Sequence, residues 1–187
     1  APAPRACSIL NAKCGRCSQN CRFCAQSASY ATHIEPHPLV SVKEAVDAAR
    51  VDYDRGVRTF GYVTSGRGYA EITPEFQRIL DTMDALHAEF PDLTLCVSLG
   101  ILSRTCVAAL AAHHVSRYNM NLQTSPARYA ALISTTHTIE EKIATIRLMQ
   151  EYGIKNCTGG IIGLGETWED RIDMAFAIRD LKVEGAP

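Results

Sequence analysis

Nowhere does this sequence stay apolar for the roughly 18 residues that a membrane-spanning helix needs, so no such span is expected. Neither sign of charge is in excess. Nineteen basic residues face twenty acidic ones, a formal net charge of −1, which offers no field to hold nucleic acid or an anionic bilayer. Ala1-Pro2-Ala3-Pro4 lacks the apolar run of a secretory leader, and the chain does not begin with Met. A secreted disulfide framework is not expected either. Of eight cysteines, five crowd into the first 24 residues and three are scattered, so a reduced, cytoplasmic compartment is the expectation. What remains is 187 residues, 47% apolar and 21% charged, enough for one globular domain with a core.

The chemistry concentrates in Cys14-Gly15-Arg16-Cys17-Ser18-Gln19-Asn20-Cys21-Arg22-Phe23-Cys24. Cys17, Cys21 and Cys24 are spaced C-x3-C-x2-C. A loop of this size can bring three thiolates to one point, and three ligands on a four-iron cluster leave one iron open to a small molecule. Phe23 supplies an apolar wall. Cys14-x2-Cys17 and Cys21-x2-Cys24 are also the two pairs that a structural zinc site uses, so zinc stays open at this point, as do disulfides or inert thiols.

Strands and helices alternate around this loop. Arg5–Leu10 reads as a short buried strand, the cysteine loop runs to about Gln26, and Ser27–Pro38 reads as loop. Ser41-Val42-Lys43-Glu44 is a capping box, opening a helix that Gly56 stops. Val57–Val63 is a strand, and Thr73-Pro74 starts a helix with Phe76, Ile79, Leu80, Met83 and Leu86 on one face. Leu93–Val97 is a strand, Ser103–His113 a helix and Val115–Leu122 a strand. A second capping box at Thr138–Glu141 opens a helix that Gly153 ends; Ile154–Ile162 is a strand, and Thr167 caps a helix to about Val183. This α/β alternation implies parallel strands with helical crossovers, in a doubly wound sheet or part of a (β/α) barrel. A full eight-unit barrel takes about 250 residues. The chain therefore reads as an incomplete barrel of five to six βα units, a fragment stopping where another strand is due.

Ligands in such folds bind at the C-terminal ends of the strands. Thr64-Ser65-Gly66, Cys96, Ser98, Cys157 and the run Gly159–Glu166 fall there. Asn119, Asn121 and Gln123 share one strand parity and can line one cavity for a polar ligand; asparagines that merely end a strand are the plainer alternative. None of the six histidines is assigned a role, and His87 and His137 read as solvated.

The pattern of Cys17, Cys21, Phe23 and Cys24 resembles the C-x3-C-x-aromatic-C signature of the radical S-adenosylmethionine (SAM) superfamily. Cys21–Ser27, Cys96–Gly100, Tyr118–Ser125 and Cys157–Glu166 resemble blocks of the biotin synthases within it, in the family's order over nearly the whole chain. The resemblance implies a TIM-type parallel (β/α) barrel, incomplete here. Residues 1–187 would be a partial radical SAM core domain with the cluster loop over 13–27. It implies an enzyme that reductively cleaves SAM to a 5′-deoxyadenosyl radical and inserts sulfur into dethiobiotin to give biotin. The implied cofactors are a 4Fe-4S cluster on Cys17, Cys21 and Cys24, SAM, and an auxiliary iron–sulfur cluster. Asn121 matches a position touching SAM and substrate, and Ile161 a backbone contact to adenine. Lys13 matches a lysine near the substrate, with Asn119 also on the substrate side; Cys96 and Cys157 match two auxiliary-cluster ligands. A flavodoxin or ferredoxin is the implied electron donor and a homodimer the implied full-length assembly, with neither nucleic acid nor membrane as partner. The alternatives are another radical SAM enzyme of the branch, a maturase or mutase, and a non-enzymatic zinc-binding α/β module.

Three departures stand out. The family's third auxiliary cysteine follows a phenylalanine, but here the pair is Phe60-Gly61, and the family's fourth ligand, an arginine, falls beyond Pro187. We expect Cys7, on the neighbouring strand, to substitute, giving an auxiliary cluster of two-iron or four-iron type. Gln123 stands where the family often has a carboxylate reaching the SAM ribose. Cys14 is an extra thiol, read as adventitious, an auxiliary ligand or a zinc partner; Cys106 reads as core.

Overall fold

In the computed structural model, which describes residues 6–183, strand and helix alternate as the periodicity predicts. β1 (Ser8–Lys13), α1 (Val42–Asp54), β2 (Thr59–Thr64), β3 (Gly68–Tyr69) and α2 (Pro74–Glu89) come first. They are followed by β4 (Thr94–Ser98), β5 (Ile101–Leu102), α3 (Arg104–Ala112) and β6 (Arg117–Asn119). A 3-10 turn (Pro126–Arg128) leads into the short α4 (Tyr129–Leu132), then α5 (Ile139–Glu151), β7 (Lys155–Cys157) and α6 (Trp168–Asp180).

Strand order decides between the two architectures. β1, β2, β4, β6 and β7 form one parallel sheet in sequence order. A doubly wound sheet reverses order part-way and carries helices on both faces. Sequential order with right-handed crossovers puts the helices on one face, which is the barrel arrangement. The side chains agree. Phe60, Tyr62, Leu95, Val97 and Tyr118 point to one side, are at most 2% exposed, and share a core with Ile79, Met83, Leu86, Leu110, Ile146 and Met149 of the helices. The alternate residues, among them Gly61, Cys96, Arg117 and Asn119, form the inner face. On the edge strand of that face Ile9 is 72% exposed.

Both expected capping boxes form. Ser41 with Glu44 opens α1 and Thr138 with Glu141 opens α5, and a third box, Thr167 with Asp170, opens α6. Such a cap contributes about 1 kcal/mol to its helix.

Several boundaries differ from expectation. β1 runs to Lys13 rather than stopping at Leu10, and the expected start at Arg5 lies outside the described residues. β6 stops at Asn119 and β7 at Cys157, well short of Leu122 and Ile162. The reason is a change of backbone: Gln123 takes φ 72, and its carbonyl accepts from Ile161 N at 2.9 Å across an isolated bridge with Gly160. Asn121 and Gln123 therefore do not share a strand parity with Asn119. The two-residue ladder β3–β5 is also unanticipated. It needs glycine at Gly68 and Gly100, both at positive φ, because a Cβ on either would run into the Ile101 or Arg67 backbone.

Candidate functional site

A cavity of about 310 Å³ opens at the C-terminal ends of β2, β4 and β6. Cys17, Cys21 and Cys24 line one wall, with Phe23 beside them. Thr64, Ser65 and Gly66 after β2, Ser98 at the end of β4, and Asn119, Asn121 and Gln123 line the rest. These expected residues share one cavity, although Asn121 and Gln123 lie beyond the strand expected to carry them. Lys13 and Ile161 are not among the lining residues. Lys13 Nζ bonds Glu75 at 2.7 and 3.0 Å, and Tyr69 donates to the same carboxylate at 2.7 Å. Ile161 spends its N–H on Gln123. The glycine-rich run is tied down by Glu166, which accepts from Gly163 N at 2.8 Å, Leu164 N at 2.7 Å and Arg171 Nε at 2.9 Å.

The Cys21 thiol feels the charges around it. Burial first, then the neighbouring Cys24 and Cys17, push the Cys21 thiol up, while Lys142 pulls it down. Such thiols ionise readily only when a metal takes the proton's place. Asn121 Oδ1 is buried without any hydrogen-bond partner, and an orphaned acceptor in a cavity wall costs free energy until a ligand satisfies it.

Two functional candidates escaped the sequence reading. Lys142, on α5, is only 5% exposed, and its Nζ donates to Gln123 Oε1 at 2.5 Å. Burial draws its ammonium down to about 8, with Cys21 opposing. His137 is half-buried rather than solvated. Its Nδ1 meets Gln19 Oε1 at 3.0 Å in the cluster loop, and its Nε2 meets Tyr129 Oη at 2.7 Å. A capping-box signal at Thr138 was visible, but nothing in its spacing shows that the helix drives a lysine into the cavity.

Burial first, then the Lys142 charge, lowers the His137 imidazole from 6.5 to about 4. The unfolded chain therefore takes up this proton at higher pH than the folded one. The stability linked to this group is present above about pH 6.5 and is lost as pH falls toward about 4. Full linkage would be about 3 kcal/mol, and partial solvent screening reduces it to about 1–2 kcal/mol. Denaturant titrations of metal-free protein should show this slope, and His137→Gln should flatten it; parallel pH profiles for the two proteins would contradict the assignment.

The cluster loop is braced by the segment before α5. Asn20 Nδ2 donates to Thr135 Oγ1 at 2.7 Å, and Asn20 Oδ1 accepts from Ser134 Oγ at 2.8 Å and Thr135 N at 3.0 Å. Arg22 N donates to the Ile133 carbonyl at 2.9 Å. Supporting bonds of this kind typically matter about 10–100-fold in metal retention. Asn20→Ala should therefore speed iron loss to a chelator by about that factor, and an unaltered loss rate would show that the brace is dispensable.

Three further thiols interact through their charges outside the cavity lining: Cys7, exposed just ahead of β1, Cys96, buried on β4, and Cys157 at the end of β7. Burial raises the Cys7 thiol, with Cys157 adding to it. Cys96 is pushed up to about 12 by burial first, then by Cys7 and Cys157, against Arg117. Cys157 is the cross-strand partner of the cavity residue Asn119, and Cys96 lies two residues before the cavity residue Ser98 on the same face. A Cβ at Gly61 would stand 3.0 Å from the Ser8 carbonyl and 3.2 Å from Ile9 Cγ1, so a side chain there would crowd β1. Cys14 stays out of both groups. It is buried, and its backbone bonds His37 in both directions. Cys106 is fully buried in the core. Among the described residues no three His, Cys, Asp or Glu side chains are placed to share a single metal ion, as a closed zinc site would require. Thiols that grip a cluster stand further apart than ligands of one ion.

The model of the radical SAM superfamily matches residues 13–178. The chain belongs to the radical SAM superfamily. Its curated relatives include biotin synthases from Chlorobaculum tepidum, 49% identical over 185 residues, and Chlorobium phaeovibrioides, 51% identical over 182. These alignments take in 99% and 97% of this chain but 56% and 55% of the relatives, so the chain spans about half the length of the curated relatives it matches. Among solved structures, methylornithine synthase (PylB) superposes over 96% of this chain and 51% of its own, with a TM-score of 0.82 at 12% identity. HydG, a maturase of the [FeFe]-hydrogenase, covers 94% of this chain and 39% of its own, with a TM-score of 0.75 at 15% identity. At such identities these two establish the fold alone. As a radical SAM protein, the chain has a 4Fe-4S cluster and SAM as its cofactors, and the site suits them. Three thiols, an orphaned buried amide oxygen and a buried cation line one cavity of ligand size. No described helix is long and apolar enough to cross a membrane.

Proposed function

We propose that this chain carries a biotin synthase-like radical SAM sulfurtransferase activity: reductive cleavage of SAM, and sulfur insertion into dethiobiotin to give biotin. The observation that carries it is the second thiol group, Cys7, Cys96 and Cys157, which interact through their charges outside the lining of the SAM-sized cavity. A radical SAM maturase or mutase has no need of that group. A zinc module using Cys14, Cys17, Cys21 and Cys24 is the weaker reading, since Cys14 does not line the cavity that the other three share.

In this reading Cys17, Cys21 and Cys24 hold the 4Fe-4S cluster, and Cys7, Cys96 and Cys157 hold an auxiliary cluster of two-iron or four-iron type. When bound, the clusters supply the electron for SAM cleavage and the sulfur. The chain's own residues bind, orient and shield. Asn121, with its unsatisfied Oδ1, and Gln123 would offer SAM polar contacts, and Lys142 would bring a positive charge for its carboxylate. By the resemblance Ile161 would serve the adenine, and Lys13 and Asn119 the substrate; of the three, Asn119 lines the cavity. Phe23 and Met120 keep water from the cavity wall. The domain spans residues 1–187 with its cluster loop at 13–27. A one-electron donor is required, for which we propose a flavodoxin or ferredoxin. The full-length protein is proposed as a cytoplasmic homodimer. The direct test is anaerobic turnover of dethiobiotin by the full-length gene product with SAM and a reductant, scored for biotin and 5′-deoxyadenosine. Formation of 5′-deoxyadenosine without biotin would move the chain to another radical SAM reaction.

A further inference from the structure

We propose that Arg117 is a positioning residue whose positive charge balances the thiolates of Cys7, Cys96 and Cys157 and sets the reduction potential of the cluster they hold. The inference rests on the auxiliary-site reading above.

The placement comes from the sheet. Arg117 opens β6, directly opposite Cys96 in the parallel ladder. The next residue, Tyr118, is fully buried on the outer side, so alternation turns Arg117 to the inner face with Cys96. Cys157 lies on β7 opposite Asn119, one inward position further along the same strand. The guanidinium charge reaches both Cys96 and Cys7.

Arg117 is half-buried, yet it makes no hydrogen bond or ion pair with any other described residue. A partly desolvated guanidinium is costly unless a counter-charge faces it. Three thiolates gathered without a counter-charge are costly for the same reason. Arg117 and a cluster held on these thiolates would offset one another's cost, because a guanidinium stays protonated throughout. A fixed positive charge beside a cluster favours its reduced state, which carries one more electron. Arg117 therefore raises the potential and slows loss of the cluster.

The test compares holoprotein from wild type, Arg117→Lys, Arg117→Met and Cys7→Ala, each reconstituted anaerobically and checked for folding by circular dichroism. The readouts are iron per chain and the midpoint potential of the auxiliary signal followed by Mössbauer and EPR spectroscopy. The expected result is a more negative auxiliary potential in Arg117→Met, a smaller shift in Arg117→Lys, and an unmoved signal from the Cys17–Cys24 cluster. If Arg117→Met loses auxiliary iron outright, retention by Arg117→Lys supports the charge role, and loss in both overturns it. An unchanged potential in Arg117→Met with iron intact also overturns it, including the case where only the KM for dethiobiotin rises, which would assign the guanidinium to the substrate carboxylate. If wild type shows no auxiliary signal, or Cys7→Ala leaves that signal unaltered, the underlying site reading fails instead.

Discussion

Cys21→Ala should lose the SAM-cleaving cluster and, with it, formation of 5′-deoxyadenosine down to background, while the folded core survives. Cys21 shares a cavity wall with Cys17 and Cys24 and feels the charge of both. A cluster on three thiolates has none to spare, since its fourth corner is reserved for the small molecule. The loop itself is held from elsewhere, through Asn20, Gln19 and Arg22, so truncating the thiol should not unravel it. Cys14→Ala is the matched control. It lies only three residues from Cys17 but outside the cavity lining, and it should retain iron and activity. Iron counting and EPR spectroscopy on the two variants separate the cases. Equal loss in both would point to a four-thiol site and revive zinc-like ligation.

Cys7→Ala should show the opposite pattern: SAM cleavage kept, the auxiliary signal and biotin formation gone. Gly61 stands opposite Cys96, and a side chain there would press on Ser8 and Ile9 of β1. Cys7, exposed and just ahead of β1, supplies a thiol instead: Cys157 raises its proton affinity, and Cys7 and Cys157 both raise that of Cys96. Such raised affinities mean that neutral thiols predominate without metal and that loading releases protons. Mössbauer spectra of the variant should lack the auxiliary component and keep the other. Persistence of both components would remove Cys7 from the site and leave a two-cysteine set.

Much of this was readable in the sequence, for physical reasons. Hydroxyl caps with an acid three residues on are local signals, and Ser41–Glu44 and Thr138–Glu141 formed as expected. The apolar face of α2 is a period of the chain itself, and Phe76, Ile79, Leu80, Met83 and Leu86 are all buried. Strand ends were harder. Val115–Leu122 looks continuous in β-formers, but the backbone leaves the ladder after Asn119 and Gln123 turns left-handed to meet Gly160. The cavity still received Asn121 and Gln123 because the turn follows its rim. Lys142 and His137 were missed because a lysine on an amphipathic helix and a histidine in a Thr-rich loop are ordinarily solvated. Burial here comes from the cysteine loop packing over them, a contact between residues over 110 positions apart. The partnership of Asn20 with Ser134 and Thr135 is long-range in the same way.

The account stands most directly on whether the Cys17–Cys21–Cys24 loop holds iron that splits SAM. Anaerobically reconstituted protein, reduced with dithionite and incubated with SAM, should yield 5′-deoxyadenosine and methionine, with no such yield from Cys21→Ala. Protein that loads iron on these thiols yet leaves SAM intact under strong reduction, or that takes up no iron at all, would contradict it.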